Sequence, residues 1–561
     1  MKNEIQSFQS LKQMLKNTYE TKPKQLAFEL PDGELVTYKR FYKQVSAVGS
    51  ALLGKYNLNS KKIAVSGGNS YEWLCTYFAV TGGVGVITPI DKELPFEEML
   101  NLIEFAEIKA IVADKAVTKK LLKNIELLPK DFLIITTDET QKSKRVIQFE
   151  QVVLDGKQLI LNGYKDYELC QIDPKALAVI LFTSGTTGMS KGVMLSNENI
   201  CSDIKATSQA VHLTSNDSVL SFLPIHHAYE CMTLLMCVNA GAKINFSGGL
   251  RHITNDFKRY KPTIFVCVPL LIEKIFDKMQ KKMVEDKKDK LVNLAIKASP
   301  VLNDKMKKQI FKQIHEVFGG NIRQIIAGAA ALSPPVAKRF HSFGIPVLIG
   351  YGLTECSPIV ISNSDDNITY DSIGKPLQGV EAKIINPDEN NIGEICVKGD
   401  MVMLGYFKNM QETEKVLKDG WFHTGDLGFK DNKGNYHITG RSKNVIVTKN
   451  GKNIYPEELE YYLNCDPLIL ESIVFSKQDS EESVMAKVVA DMDAVKEYLK
   501  NEAPTADEIQ KAIQEVVRKI NKKLPSYKSI KNIEVKTTEF KKTTTNKIKR
   551  YEEVDNSDSN D

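Results

Sequence analysis

The chain has 561 residues, 42% hydrophobic and 26% charged, with 75 Lys and Arg against 70 Asp and Glu. That length exceeds a single hydrophobic core and implies at least two domains. The composition is that of an ordinary soluble globular protein, and a net charge of only +5 gives no case for wholesale nucleic-acid binding.

Phe8, Leu11 and Leu15 predict a short amphipathic helix at the start. Leu30-Pro31-Asp32-Gly33-Glu34 reads as a hairpin, followed by Leu35–Tyr38 and a helix from about Arg40 to Leu53. Ile63–Val65 and Val84–Ile87 predict strands, with a helix near Tyr71–Val80 between them. The most apolar stretch, Tyr77 to Ile90, holds Gly82, Gly83, Gly85 and Pro89 and reads as buried strand and turn, not a membrane span. Strand-helix alternation continues through Ile111-Val112, Phe132–Ile135, Ile264–Val268 and Ile325-Ile326, the pattern of parallel sheets covered by helices. Residues 274–313 are lysine-rich and helical in pattern, which reads as a solvated face rather than a lipid-binding patch. After about Asp365, glycines punctuate the short runs Val380–Ile385 and Glu394–Val397, as in a small β-barrel or meander. Residues 553–561 form an acidic polar tail of disordered composition.

Nine scattered cysteines with no Cys-x-x-Cys pair, and a start (Met1-Lys2-Asn3-Glu4) unlike an export signal, predict a reducing, cytoplasmic setting. His226-His227 is the sole histidine pair and lacks His-Glu-x-x-His spacing, so no zinc signature is present.

The most informative segment is Thr183-Ser184-Gly185-Thr186-Thr187-Gly188-Met189-Ser190-Lys191-Gly192-Val193, directly after the apolar run Leu177–Phe182. Glycines let backbone N–H groups approach a polyanion, hydroxyls add donors and a lysine adds point charge, which is the chemistry of a triphosphate cradle. It is not a Walker A loop: the Gly-x-x-x-x-Gly-Lys-Ser/Thr spacing is absent, and Lys191 leads into a strand rather than a helix.

This segment closely resembles the phosphate-binding signature of the adenylate-forming, AMP-binding enzymes: acyl-CoA synthetases, aryl-CoA ligases, luciferases and peptide adenylation domains. Several more segments occur downstream in that family's order. Ile349-Gly350-Tyr351-Gly352-Leu353-Thr354-Glu355-Cys356 resembles the segment at the mouth of the nucleotide and acyl pockets. The resemblance implies Tyr351 and Gly352 at the adenine, Thr354 at the α-phosphate and Glu355 as the Mg²⁺ ligand. Gly328-Ala329-Ala330 matches the small residues that lie against adenine. Within Gly420–Gly428, Asp426 matches the carboxylate that accepts from both ribose hydroxyls, and Arg441 the arginine that reaches the nucleotide. Lys443 falls on the hinge position, and Gly451 on the ribbon glycine past which pantetheine runs. Lys547, in Lys541–Arg550, matches the lysine that approaches the α-phosphate and attacking carboxylate, although Asn546 stands where the family usually has glycine. Asparagine is the next-best residue for a left-handed backbone. Leu223–Glu230 matches the substrate gate, with His227 at the ring that flanks the acyl carboxylate.

The implied architecture is α/β: a large N-terminal region of parallel sheets, helices and a small β-barrel (1–440), then a smaller mobile α+β domain (441–552). The implied activity is ATP- and Mg²⁺-dependent conversion of a carboxylic acid through acyl-AMP to acyl-CoA. Lys261–Pro269, Glu273-Lys274-Ile275 and the His-Ala-Tyr-Glu gate look like the long-chain branch, so a medium- to long-chain fatty acid is the expected substrate. An acyl-carrier protein as acceptor, or an aryl or short acid, are the alternatives. A silent acyl or nucleotide sensor ranks last, because Lys547, Glu355 and Asp426 are all present. Peripheral contact with the inner membrane face is compatible with such a substrate, and the sequence sets no oligomeric state.

Overall fold

The computed structural model describes residues 7–138, 145–183, 191–448, 452–476, 484–542 and 548–555. The chain divides into two compact units: Met1–Gly185, Met189–Glu381 and Val397–Phe422 in the first, and Thr186–Gly188, Ala382–Cys396 and His423–Asp561 in the second. The second unit thus takes in Ala382–Cys396 and the residues from His423 to Gly440 along with the expected 441–552 segment.

The first unit is built on two large sheets. The eight-stranded sheet runs Gly405–Tyr406, Lys191–Ser196, Leu177–Thr183, Gly85–Pro89, Lys61–Ser66, Ile108–Ala113, Leu133–Thr136, Val146–Gln148. It is parallel from Leu177–Thr183 through Val146–Gln148, with an antiparallel hairpin joining Leu177–Thr183 to Lys191–Ser196. In the nine-stranded sheet, Val347–Gly352, Gln324–Ala327, Ile264–Cys267, Ser218–Ser221, Lys243–Phe246 and Leu26–Glu29 form a parallel block. These strands are apolar on both faces, as a sheet covered by helices requires: Ile264–Cys267 is buried at all four positions.

The expected helix over 40–53 is Tyr38–Gly54, capped by the Thr37 side chain, which accepts from Arg40 N–H. The helix expected near Tyr71–Val80 is Tyr71–Ala79, so the first three residues of the apolar stretch Tyr77–Ile90 are its last turn. The helix yields at Gly83, whose φ of 126° only glycine adopts readily, and the strand Gly85–Pro89 begins there.

In the second unit the glycine-punctuated runs become the strands Glu381–Ile385 and Gly393–Lys398 of a five-stranded sheet, which also includes Trp421–Lys430 and Tyr436–Arg441. A three-stranded sheet (Ile469–Ser476, Val484–Ala490, Ile530–Lys536) packs with helices Pro456–Asn464 and Ala506–Asn521 around Leu459, Leu463, Val474, Val488, Ile513 and Val517. Pro456 occupies the first turn of its helix, where its missing N–H costs nothing.

Candidate functional site

In a parallel sheet the strands deliver their following loops to one edge, where ligands bind. Four adjacent strands of the nine-stranded sheet end at Ser221, Cys267, Ala327 and Gly352. The loops after them carry the gate at His226-His227, the turn before Pro269, the small residues from Gly328 and the Thr354–Cys356 turn. The sheet therefore gathers three segments that the sequence could only place in order.

Local packing explains the small residues. A Cβ on Gly352 would lie 1.8 Å from Pro358 O, and on Gly328 about 3.0 Å from the Tyr229 ring. Tyr229 itself donates to Ile326 O at 3.3 Å, tying the gate helix Ala228–Ala240 to the neighbouring strand end. Ala329 has φ of 70° and, like Ala330, is exposed, while Tyr351 is buried.

Glu355 and Lys191 meet around one tyrosine. Tyr406 Oη donates to Glu355 Oε1 at 2.8 Å, and Lys191 Nζ stands 5.0 Å from the centre of the same ring. Lys191 Nζ also pairs with Glu412 Oε2 at 2.5 Å. Hydrogen bonds from Lys191 and Lys415 hold the Glu412 carboxyl down at about 2, so it stays charged. Tyr406 arrives there because Gly405–Tyr406 pairs antiparallel with Lys191–Ser196, Tyr406 opposite Val193. Thr183, opposite Lys191 in the hairpin, donates its hydroxyl to Lys191 O at 3.4 Å. Of the phosphate loop, Ser184, Gly185, Thr186, Thr187 and Gly188 lie outside the described residues. The Glu355 carboxylate offers a hard oxygen that would suit Mg²⁺, an ion that keeps several waters and is held by only one or two carboxylates.

The gate is held by a buried polar clamp. Glu230 accepts from Ser221 Oγ at 2.5 Å and from the Phe222 and Leu223 N–H groups, and burial raises its carboxyl to about 8. Asn69 Nδ2 donates to Ser221 Oγ at 2.8 Å and Leu223 O at 2.7 Å, and its Oδ1 accepts from Ile225 N–H at 3.0 Å. Ser221, Phe222, Leu223 and Ile225 are thereby each held just before the histidines. The His226 and His227 rings lie 4.0 Å apart, with His226 Nε2 3.6 Å from Asp91 Oδ2. Burial lowers the His226 pKa, and Asp91 opposes that shift.

Within the second unit, Asp426 and Arg441 face each other across two antiparallel strands, with Arg441 Nε 2.7 Å from Asp426 Oδ1. The strand Trp421–Lys430 is held at three points around Gly425. Thr424 Oγ1 donates to Ile395 O, Asp426 N–H donates back to Thr424 Oγ1, and Gly425 N–H donates to Glu394 Oε1 at 2.9 Å. Gly425 has φ of 70°, which a side chain would strain. Glu394 also pairs with His423 Nδ1 at 3.0 Å, and with Cys396 this trio offers metal-ligand atoms within 4.8 Å of one another, although its hydrogen bonds already give Glu394 and His423 a structural task. Lys443 sits in the turn Ser442–Asn444, where partial burial and the charges of Arg441 and Arg550 lower its pKa. The ribbon strands Ile446–Val447 and Asn453–Ile454 pair antiparallel, but Gly451 in their turn lies outside the described residues. So does Lys547, between the bridge partners Lys542 and Ile548.

The sequence missed Tyr406, Glu412, Asn69 and Glu230. Glu230 lay inside a recognised segment; the others sit far from every motif and carried no local signal.

The AMP-binding enzyme family matches residues 15–407, and its C-terminal domain matches 443–555. The chain belongs to the AMP-binding enzyme family. It is 31% identical over 551 residues to long-chain-fatty-acid–CoA ligase 5 of Mus musculus, covering 90% of this chain and 80% of the relative. It is 29% identical over 523 residues to the chloroplastic long-chain-fatty-acid–[acyl-carrier-protein] ligase AEE15 of Arabidopsis thaliana, covering 79% and 71%. The fold is that of the anthranilate CoA ligase AuaEII in complex with anthranoyl-AMP, with a TM-score of 0.78 at 20% identity over 98% of this chain and 97% of that one. Both the α/β class and the division into large and small parts expected from the sequence are thus borne out.

Proposed function

We propose that this AMP-binding enzyme joins a medium- to long-chain fatty acid to coenzyme A in two steps. The acid's carboxylate attacks the α-phosphorus of ATP, releasing pyrophosphate and leaving acyl-AMP. The CoA sulfur then attacks the acyl carbonyl and displaces AMP, a far better leaving group than hydroxide, so one difficult condensation becomes two easier steps. The observation that carries this is the meeting of Lys191 and Glu355 around Tyr406, beside a parallel-sheet edge bearing the gate.

Each residue has a task in that scheme. Lys191, with Thr183 and the loop 184–188, binds the phosphates, exchanging Glu412 for triphosphate oxygens. Glu355 ligates Mg²⁺, which neutralises phosphate charge when bound. Thr354 donates to the α-phosphate; Tyr351, Gly352, Gly328, Ala329 and Ala330 form the adenine slot. Asp426 accepts from the ribose hydroxyls, with Arg441 holding its carboxylate. His227 flanks the acyl carboxylate on a loop that Glu230 and Asn69 hold in place. Lys547 offsets the charge where carboxylate and α-phosphate meet, an interaction worth most in the transition state. Lys443 is the hinge about which residues 441–552 turn between steps, and Gly451 leaves room for pantetheine. A cytoplasmic location fits these water-borne co-substrates.

The test is AMP and thioester formation from MgATP with short, medium, long and aromatic acids, with CoA, with an acyl-carrier protein, and with neither. Long-acid-dependent AMP release together with acyl-CoA is the expected result. Adenylate that moves only to the carrier protein would give this chain the acceptor named for the Arabidopsis relative. Silence with every acid would overturn the proposal. In Lys547→Ala, adenylation should collapse while thioester formation from preformed acyl-AMP largely survives; equal losses would remove that role.

A further inference from the structure

The lysine-rich stretch read from the sequence as a solvated face has an additional property in three dimensions. It folds as helices Pro269–Glu285, Asp289–Ala298 and Asp304–Ile310. On the middle helix, Val292, Ala295 and Ile296 pack against the core formed by Phe265, Phe318, Phe340 and their neighbours. Its apolar stripe does not stop there. Leu291 and Leu294, one helical turn apart, are 68% and 66% exposed, and Val284 and Val301 on either side are 58% and 86% exposed. A single exposed leucine needs no explanation; two a turn apart on one helix, with an exposed valine on the element to each side, do.

Charge is concentrated in the same place. Residues 269–310 hold eleven lysines against six Asp and Glu, an excess of five, which equals the net charge of the whole chain. The remainder of the protein is balanced. Lys290 and Lys297, two turns apart on the same side of the helix, flank Leu291 and Leu294, and both are exposed. Apolar side chains flanked by lysines, whose stems can lie along an apolar surface while the ammonium groups stay in water, are the arrangement of a helix lying in a bilayer interface.

We propose that this face docks on an anionic lipid bilayer, with Leu291 and Leu294 entering the acyl boundary and Lys290 and Lys297 meeting the headgroup phosphates. Solvation alone accounts for the lysines but not for the leucines between them. Among the described residues no helix is long and apolar enough to cross a membrane, so the contact is peripheral. The purpose of such docking rests on the fatty-acid reading, since long-chain acids partition into bilayers; the binding itself does not.

The experiment is flotation of the full chain with vesicles of phosphatidylcholine alone or with phosphatidylglycerol, without ATP or acid. Retention is expected only on the anionic vesicles and should fall as salt is raised. Leu291→Asn/Leu294→Asn and Lys290→Gln/Lys297→Gln should each weaken it by on the order of tenfold, because both apolar burial and charge contribute. Both variants should keep the wild-type circular dichroism and the AMP-forming rate on a medium-chain acid supplied in solution. No retention, equal retention on neutral vesicles, or full retention of the leucine variant would overturn the proposal. So would lipid-free self-association that the leucine variant abolishes, because a second copy would then be the occupant. Vesicle binding without any adenylation would break the enzymatic reading and leave the docking face intact; adenylation without vesicle binding would do the reverse.

Discussion

The cluster around Tyr406 and the Asp426–Arg441 pair each join opposite charges or a carboxylate and a donor within one unit, yet they are assembled in opposite ways. In the first, Lys191 meets Glu412 across 221 residues, and Tyr406 meets Glu355 across 51. In the second, two strands of one hairpin put a carboxylate and a guanidinium opposite each other, with the register alone deciding the contact. A local pair depends on one turn and one register. A long-range cluster depends on the whole sheet order, which here also sets the Glu412 carboxylate against the lysine's charge.

The largest expected effect tests the long-range cluster. Lys191→Met should lower kcat/KM for ATP by on the order of 10²–10³-fold, because the ammonium stabilises charge that grows on the phosphates in the transition state. Steady-state kinetics of AMP release measures this, and a loss below tenfold would leave the phosphates to the hydroxyl loop. Asp426→Asn should cost about 10- to 100-fold, mostly in KM for ATP, the range of a charge-assisted hydrogen bond. Its penalty should shrink with 2′-deoxy-ATP; an unchanged penalty would detach Asp426 from the ribose.

Glu230 stands between these extremes, sharing Ser221, nine residues away, with Asn69 from far up the chain. Its folded-state carboxyl titrates at about 8 through burial, well above an ordinary value near 4.5. Between those values the folded chain holds a proton that the unfolded chain has released. Stability should therefore fall with rising pH, by about 1.4 kcal/mol per pH unit for this group. Denaturant unfolding of Glu230→Gln should show that slope removed, while Asp203, also raised to about 8 by burial, keeps a second slope of the same sign. An unaltered slope would mean that Glu230 is charged in the fold. The smallest effect has the opposite direction to the first. Glu412→Gln should lower KM for ATP about two- to fivefold, since a carboxylate that competes with triphosphate for a partly exposed lysine contributes on the order of 1 kcal/mol. A raised KM would show that Glu412 positions Lys191 instead of competing with phosphate.

Legibility in the sequence follows the same division. The strands at Ile63–Val65 and Ile264–Val268 and the helix expected from about Arg40 to Leu53 were visible because each depends on neighbours a few residues apart. Asn69 gave no sign at all, since an asparagine in a Gly-Gly-Asn-Ser loop most simply reads as a turn. The exposed leucines of 291–294 were equally opaque, because periodicity reports that a face is apolar without saying what covers it.

The sequence by itself determined the family, the α/β class, the chemistry of the phosphate segment and the residue types available for nucleotide and Mg²⁺. Those are properties of short windows, in which composition and spacing are the physical cause. Only the tertiary structure decided that Tyr406 joins Glu355 to Lys191, that Glu412 answers the lysine's charge, that Asn69 and Glu230 hold the gate loop, and that a row of leucines among lysines faces outward. Each of those depends on which strand lies beside which, and strand order is set by the burial of whole sheets rather than by any stretch of the chain.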